Sequence, residues 1–180
     1  YLRRLQGRID EAEPLHLESL AIRRDIGDTV GQGRILGMLS ILYENERRYD
    51  DAKAAAREAF DIASEANDRL FMATAMAQLA QAEFSDGELD AARASYAESR
   101  ALFVGIDDTS RVAQVDIRLA RIDVKADALV TAEERIDSVL ETTRAEALHE
   151  AGIQAMELAG DIKLRREDTA GAIDAWEQTL

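Results

Sequence analysis

The sequence has no cysteine, one proline and few aromatic residues, and each scarcity excludes a class of protein. Without cysteine the chain forms no disulfide and offers no thiolate to a metal. One proline and ten glycines are too few turn-forming residues for the many turns of an all-β protein. No run of 18 apolar residues and no basic-then-apolar leader occurs, so we predict neither a membrane span nor a signal peptide. These absences favour a helical, cytoplasmic protein.

The charge balance is strongly acidic. Carboxylates number 36 against 22 basic residues, for a formal net charge of -14 at pH 7. A field of that sign repels phosphate backbones and anionic lipid headgroups. We therefore expect this segment to bind neither nucleic acid nor a membrane surface. Arginines outnumber lysines by 19 to 3, which fits either a salt-adapted source or simple codon bias.

A repeat of 40 residues runs through the chain without gap or insertion. One column of the repeat holds only alanine, at Ala12, Ala52, Ala92, Ala132 and Ala172. Aspartates keep the same register at Asp28, Asp68 and Asp108, and an apolar column runs beside them. Several columns of different chemistry in one register indicate a true structural repeat. Within each period, apolar residues recur at helical spacing in two blocks separated by short polar breaks.

The two blocks predict two helices per period. We expect helices at about residues 29–45, 49–65, 69–84, 89–104, 109–124, 129–142, 146–165 and 169–180. Residues 1–6 are typical of the end of one further helix, and Pro14 falls near the first turn of a helix that starts near Ile9, where a missing amide costs least. The aspartates that precede the first helices can accept hydrogen bonds from their free amides.

These segments resemble a known repeat family. The stretch GRIDEAEPLHLESLAIRRDIGD, followed by a glycine-rich helix start and ERRYDDAKAAAREAF, is similar to tetratricopeptide repeats of the 40-residue subtype. The small residue of the family's first helix matches Ser40, Ala80, Ala120 and Gly160, and its second-helix alanine matches the alanine column. The resemblance covers essentially the whole chain, although prolines are missing at the repeat junctions. It implies an all-α fold, a right-handed superhelical solenoid of helical hairpins.

The register divides the chain into one array of four to five hairpins over residues 1–180. We expect a truncated first repeat at 1–26, repeats at 27–66, 67–106 and 107–144, and a last repeat at 145–180 that ends within its second helix. A hairpin of this kind buries its apolar face only against its neighbours. Both ends should therefore present uncapped apolar faces, which predicts flanking repeats, a caging partner or self-association through those ends.

The sequence carries little that could perform catalysis. His16 and His149 are the only histidines, and the serines occur in helix or cap contexts without a nearby base. The cluster Gly31, Gly33 and Gly37 lacks the preceding strand and following lysine of a phosphate loop, so close helix packing explains it better. We therefore predict no catalytic residue, no cofactor, no metal site and no enzymatic activity.

One predicted helix face differs from its acidic surroundings. Arg111, Arg118, Arg121 and Lys125 follow one another at spacings of seven, three and four residues, which places them on one face of a helix. Such a stripe favours an acidic segment or a terminal carboxylate as ligand. The alternative is internal neutralisation by nearby carboxylates, namely Asp107, Asp108, Asp116 and Asp123.

The family resemblance implies a binding function. In tetratricopeptide proteins the first helices line a concave groove that receives peptides, which implies a scaffold for protein or peptide partners. By this mapping the groove is lined by Arg34, Ile41, Glu44, Thr74, Gln78, Gln81, Gln114, Arg118, Arg121 and Lys125. The alternative is a ligand-sensing regulatory segment of a larger signalling or transcriptional regulator. Because such scaffolds share core residues and vary their grooves, the sequence does not identify the partner.

Overall fold

The structure is a computed structural model that describes residues 12–177, and its helices follow the two-per-period pattern. In order they are α1 (Ala12–Asp25), α2 (Thr29–Asn45), α3 (Tyr49–Glu65), α4 (Arg69–Asp86), α5 (Leu89–Val104), α6 (Thr109–Lys125), α7 (Leu129–Ala145), α8 (His149–Arg165) and α9 (Thr169–Glu177). No strand occurs within that range. The helix end predicted at 1–6, the helix start near Ile9 and the final residues 178–180 lie outside the described residues.

The predicted bounds agree with the observed ones except at a few helix ends. Helix α4 continues to Asp86 and α6 to Lys125, slightly beyond the predicted ends. The largest difference lies between α7 and α8, since α7 continues to Ala145 and α8 begins only at His149. The turn between them reads Glu-Ala-Leu and contains none of the Gly, Asn or Asp residues that usually mark a turn. The prediction therefore placed this turn about three residues too early.

The backbone repeats every 20 residues, although the sequence repeats every 40. A residue with positive φ stands in every interhelix turn, at Gly27, Arg47, Asn67, Gly87, Asp107, Asp127, Ala147 and Glu167. The amide of the following residue donates to a carbonyl five positions earlier, as Arg48 does to Tyr43 at 2.8 Å. This Schellman-type bond recurs at every turn, so each helix is ended by the same backbone geometry.

Aspartate side chains cap three of the first helices, as predicted. Asp28, Asp68 and Asp108 accept hydrogen bonds from the backbone amides of Gly31, Phe71 and Arg111, at 2.9, 3.0 and 3.0 Å. The bond from Gly31 is the main reason that the pKa of Asp28 lies below its ordinary value. Asp168 caps α9 in the same way, at 3.0 Å. Helices α3, α7 and α8 start without a side-chain cap, so their starts depend on packing and on the preceding turn.

The chain divides into two compact units, one that ends at Leu102 and one that begins at Phe103. The first unit packs α1 to α4 and most of α5 around a core that includes Leu36, Leu39 and Tyr43. The second packs α6 to α9 around Ile117, Ile136 and Ile162. Four members of the predicted alanine column, Ala52, Ala92, Ala132 and Ala172, are 0% exposed, and the fifth, Ala12, is half-buried. The boundaries of the individual repeats stay a prediction.

Two glycines mark places where a helix approaches a ring too closely for any side chain. A Cβ added to Gly33 of α2 would lie 2.3 Å from the Phe71 ring of α4. A Cβ added to Gly160 of α8 would lie 2.2 Å from Trp176 Nε1 of α9. Both distances are far inside van der Waals contact. Close helix packing thus accounts for the glycine in the middle of the α2 cluster, as the sequence indicated.

Candidate functional site

The predicted groove residues all lie on the first helices of the repeats, which we call A helices. The A helices are α2, α4, α6 and α8, and the helices between them are B helices. Within the first unit α2 contacts α4, and within the second α6 contacts α8. Each unit therefore presents a pair of neighbouring A helices, and these pairs are the candidate binding surfaces.

Helix α2 contributes one cation and one apolar residue to the surface of the first unit. Arg34 is exposed, and Ile41 is 51% exposed. Arg34 lines a shallow cavity of about 290 Å³ together with Val30 and Met38. An exposed apolar stripe beside a guanidinium group is the kind of surface that recruits a partner carrying both apolar and anionic groups.

Two further predicted residues, Glu44 near the end of α2 and Gln81 of α4, take part in a chain of hydrogen bonds. The Tyr96 hydroxyl donates to Gln81 Oε1 at 3.0 Å, and Gln81 Nε2 donates to Ser85 Oγ at 3.2 Å. The Ser85 hydroxyl donates in turn to Glu44 Oε1 at 2.7 Å. The chain joins α5, α4 and α2, so Glu44 and Gln81 already have partners within the protein. Sequence reasoning missed Ser85 and Tyr96 as members, because local spacing carries no signal for a bond between residues 41 positions apart.

The remaining predicted residues of α4 are half-buried. The Thr74 hydroxyl donates to Leu70 O of its own helix at 2.9 Å. The Gln78 side chain lies beside Gly37 of α2, where an added Cβ would be 3.2 Å from Gln78 Oε1. That oxygen is buried and accepts no hydrogen bond from the described part of the chain. The Gln78 side chain therefore contributes to the contact between α4 and α2.

Helix α6 differs from α2 and α4, since all four of its predicted residues are exposed. Gln114, Arg118, Arg121 and Lys125 lie along one face of the helix. Arg111, at the start of the same stripe, is half-buried over the Phe103 ring, with 5.6 Å between its Cζ and the ring centroid. Its guanidinium group also lies 3.5 Å from Asp108. The exposed part of the stripe therefore begins after Arg111.

Three of the four carboxylates expected to neutralise this stripe have partners elsewhere. Asp116 and Asp123 are 9% and 1% exposed, on the opposite side of α6. Arg135 of α7 approaches both, with its Nη1 3.6 Å from Asp116 Oδ1 and its Nε donating to Asp123 Oδ2 at 3.1 Å. Asp108 caps the start of α6 through the amide of Arg111. These three carboxylates are thus directed at Arg135 or at the helix N-terminus.

Helix α8 adds a cation that the sequence mapping left out. Arg165 is exposed, and its Nη1 approaches Val124 O to 3.5 Å, at the C-terminal end of α6. It stands 40 residues after Lys125, so the repeat register was the signal that would have found it. Asp161 of α8 is the exposed carboxylate in the register of Arg121 and forms no ion pair with it. The exposed charges of this helix pair are therefore the cations of α6 with Arg165, and the α8 carboxylates Glu150, Glu157 and Asp161.

The described residues contain neither a cluster of metal-binding side chains nor a helix that could span a membrane. Within 12–177, no three His, Asp or Glu side chains converge as metal ligands. His149 is exposed at the rim of a cleft of about 450 Å³ that Leu140, Ile153 and Met156 line. Over the same residues, no helix combines the length and the apolar character needed to cross a bilayer.

Comparison with known proteins finds the predicted repeat type in part of the chain. A tetratricopeptide repeat family model matches residues 1–65. The structure of BtubC (BKLC) from P. vanneervenii superposes with a TM-score of 0.83 at 21% identity, over 99% of this chain and 74% of that one. A putative kinesin light chain from Podosopora anserina, with nearly identical tetratricopeptide-like repeats, gives 0.79 at 16% identity, over 98% and 88%. No curated protein matches the sequence.

A third structure places such repeats in a larger protein. A signal transduction ATPase with numerous domains from Pyrococcus horikoshii, described as having a tetratricopeptide repeat sensor, gives a TM-score of 0.78 at 15% identity, over 95% of this chain. The present chain spans 27% of that protein's length. At these identities the likeness shows the fold alone. The predicted all-α helical-repeat solenoid class is confirmed, and the family match over residues 1–65 agrees with the predicted repeat type.

Proposed function

We propose that this protein, whose fold is that of tetratricopeptide repeats, is a scaffold that binds protein or peptide partners through its exposed A-helix faces. The observation that carries the proposal is the exposure of Arg34 and Ile41 on α2 and of Arg118 and Arg121 on α6. Core packing does not require these side chains. Two neighbouring helices per unit offer a surface broad enough for an extended peptide or a partner helix. The same fold is generally used for binding rather than for catalysis.

Selection from a random peptide library displayed on phage tests the proposal. Selected peptides, synthesised and added to the 180-residue chain, should slow amide hydrogen exchange in A helices more than in B helices. A matched pair of variants sharpens the result. Ile41→Asp places a charge on an A helix at a residue 51% exposed, and Val130→Asp does so on the B helix α7 at a residue 59% exposed.

We expect Ile41→Asp to weaken peptides that protect α2 by about tenfold and Val130→Asp to leave them unchanged, because only the first substitution alters the binding surface. Failure to select any binding peptide, or protection confined to α3, α5 and α7, would contradict the scaffold function. Circular dichroism of both variants controls for loss of fold.

A second candidate function is a ligand-sensing segment of a larger regulator. It is favoured by the fold shared with the Pyrococcus horikoshii protein, in which such repeats are described as a sensor. The coding sequence on both sides of these residues decides the matter. An in-frame ATPase or DNA-binding domain supports the sensor, and a reading frame without any effector domain contradicts it.

A further inference from the structure

We infer that the turn between α7 and α8 is a hinge at which two copies of this chain exchange their α8–α9 hairpins. In the exchanged form, the three turn residues from Glu146 to Leu148 become helical and join α7 and α8 into one straight helix from Leu129 to Arg165. Each copy then packs its α8 and α9 against α6 and α7 of its partner. This inference goes beyond the proposed binding function and does not depend on it.

The turn holds an alanine in a backbone conformation that alanine disfavours. Ala147 has a φ of 54°, in the left-handed region, where the Cβ crowds the following carbonyl oxygen. At the same position, two of the other described turns have glycine and three have asparagine or aspartate, which tolerate this region better. Alanine also has the highest helix propensity of all residues. A straight helix would therefore relieve the unfavourable conformation of Ala147.

This turn also lacks two hydrogen bonds that equivalent turns have. At the seven other interhelix turns within residues 12–177, the amide of the positive-φ residue donates to the carbonyl three positions earlier, at 3.0 to 3.2 Å. The amide of Ala147 makes no such bond. Leu148 provides no side-chain cap for α8, whereas aspartates cap α2, α4 and α6. Straightening the chain therefore breaks fewer local bonds here than at the start of the other A helices.

Side-chain contacts hold the turn between α2 and α3, which likewise has no glycine, asparagine or aspartate. Its Arg48 donates to Glu13 Oε2 at 2.7 Å and to Asp51 Oδ2 at 2.8 Å. At the α7–α8 turn, the side chains of Glu146 and His149 form no hydrogen bond or ion pair within the described range. The cleft of about 450 Å³ lies directly beside them. Of these two turns, the one between α7 and α8 is therefore the less firmly held.

A second copy of the chain offers the surface that a released hairpin requires. Leu158 and Ile162 of α8 share a buried core with Ile136 of α7, and each of the three is at most 7% exposed. Water does not replace such apolar contacts, whereas α6 and α7 of another copy present the same core positions. Two straight helices that run antiparallel about a two-fold axis near Ala147 would form the α7–α8 contact twice.

The exchange leaves the exposed A-helix faces available, because the contacts that it remakes are those of the core. An exchanged dimer would therefore present each of these faces twice. A partner with two binding segments is held more tightly by such a dimer than by a single chain. The hinge would thus couple the concentration of the protein to the number of binding surfaces that it presents.

The absence of cysteine makes the exchange testable through an engineered disulfide. A Cβ added at Gly152 of α8 would lie 3.7 Å from the Cβ of Thr143 of α7, a separation that suits a disulfide. The double variant Thr143→Cys, Gly152→Cys therefore links α7 to α8 within one chain in the monomer and between two chains in the exchanged dimer. The 180-residue variant is refolded from urea at ~1 mM and at ~10 μM, fractionated by size exclusion, oxidised and run on a denaturing gel without reductant.

We expect a dimer fraction after refolding at the higher concentration, and we expect its two chains to stay covalently joined on the gel. Ala147→Gly should lower the dimer fraction of the cysteine-free chain by at least about tenfold, because glycine fits a positive φ and disfavours the straight helix. Arg47→Gly is the matched control, because Arg47 has a φ of 60° in the α2–α3 turn. It should leave the dimer fraction unchanged.

A chain that stays monomeric at both concentrations overturns the inference. A dimer whose chains separate on the gel although their disulfides have formed also overturns it, since those copies would associate without exchange. Equal effects of Ala147→Gly and Arg47→Gly would show that the hinge does not lie between α7 and α8. None of these outcomes bears on peptide binding by the A helices, which the phage selection tests separately.

Discussion

At the scale of the residue, Lys53 shows how a buried charge is held between two hairpins of the first unit. The side chain is 7% exposed, and its Nζ donates to Asp86 Oδ2 at 2.6 Å and to Glu88 Oε1 at 3.1 Å. Asp50 lies 3.2 Å away in the same helix. Burial of an ammonium group is tolerable only with such partners. The bond to Asp86 is the main reason that the pKa of Lys53 lies above its ordinary value of 10.5.

We predict that Lys53→Met lowers the free energy of unfolding by about 2 kcal/mol at pH 7, measured by urea denaturation. The substitution leaves carboxylates together without their cation, and their partial exposure keeps the loss below that of a fully buried pair. Because the folded-state pKa of Lys53 is raised, its contribution is fully present below about pH 10.5 and declines as the pH rises further.

The difference between wild type and Lys53→Met should therefore be constant from pH 7 to 9 and smaller above pH 10.5. Lys163→Met, at a half-buried lysine of α8, is the control and should change stability by less than about 0.5 kcal/mol. Equal effects of the two substitutions, or a difference that grows at high pH, would contradict the assigned role of Lys53.

At the scale of the element, α8 holds two glycines that differ in what stands beside them. An added Cβ at Gly160 would meet the Trp176 indole at 2.2 Å, whereas one at Gly152 would meet Thr143 Oγ1 at 3.4 Å, an ordinary contact. We expect Gly160→Ala to destabilise the protein by about 1–2 kcal/mol, because the ring must move. Gly152→Ala should stabilise it by about 0.5–1 kcal/mol through helix propensity.

Thermal unfolding and the fluorescence of Trp176, the only tryptophan of the chain, measure both effects. The emission maximum should shift in Gly160→Ala and stay unchanged in Gly152→Ala, since only the first change displaces the indole. Unaltered emission together with unaltered stability in Gly160→Ala would mean that α8 and α9 pack less closely than described.

The sequence predicts the helices well, because their signals are local and repeated. Apolar spacing, the capping aspartates and the alanine column all lie within one repeat and recur in the next. The α7–α8 turn was misplaced because Ala147 adopts a positive φ of 54° without being a residue that marks such turns. Its geometry follows from the helix ends on either side of it.

Buried polar pairs inside the hairpins were not predicted. Glu83 of α4 is 4% exposed and accepts a hydrogen bond from Ser95 of α5 at 2.7 Å. Asp123 and Arg135 form the corresponding pair 40 residues later. A carboxylate at a buried position of the repeat is stable only when the facing B helix supplies a hydrogen-bond donor to it. A single sequence shows each residue of such a pair but not that the two meet.

At the scale of the whole chain, the excess of carboxylates opposes folding. A net charge of -14 brings like charges together when the chain becomes compact. We predict that raising sodium chloride from about 0.02 to 0.5 M increases the free energy of unfolding in urea by about 1 kcal/mol, through screening. A fall in stability with salt would show that internal ion pairs outweigh the general repulsion.

The candidate site was predictable only in part. The sequence places Arg118, Arg121 and Lys125 on one face of a helix, and they are exposed there. It left open whether neighbouring carboxylates neutralise them, because that depends on where Arg135 of the next helix points. The involvement of Glu44 and Gln81 in internal hydrogen bonds likewise depends on side chains of other helices. Both questions concern tertiary contacts, for which one sequence carries no signal.

The difference between the 20-residue period of the backbone and the 40-residue period of the side chains limits how such a gene can change in length. The turn residues with positive φ would accept the loss or gain of a single helix without altering any turn. Such a change, however, would exchange A and B helices throughout the rest of the chain, so that capping aspartates and buried alanines would meet the wrong neighbours. Recombination that preserves the fold must therefore remove or add whole hairpins, and unequal crossing-over by one helix would be eliminated by selection.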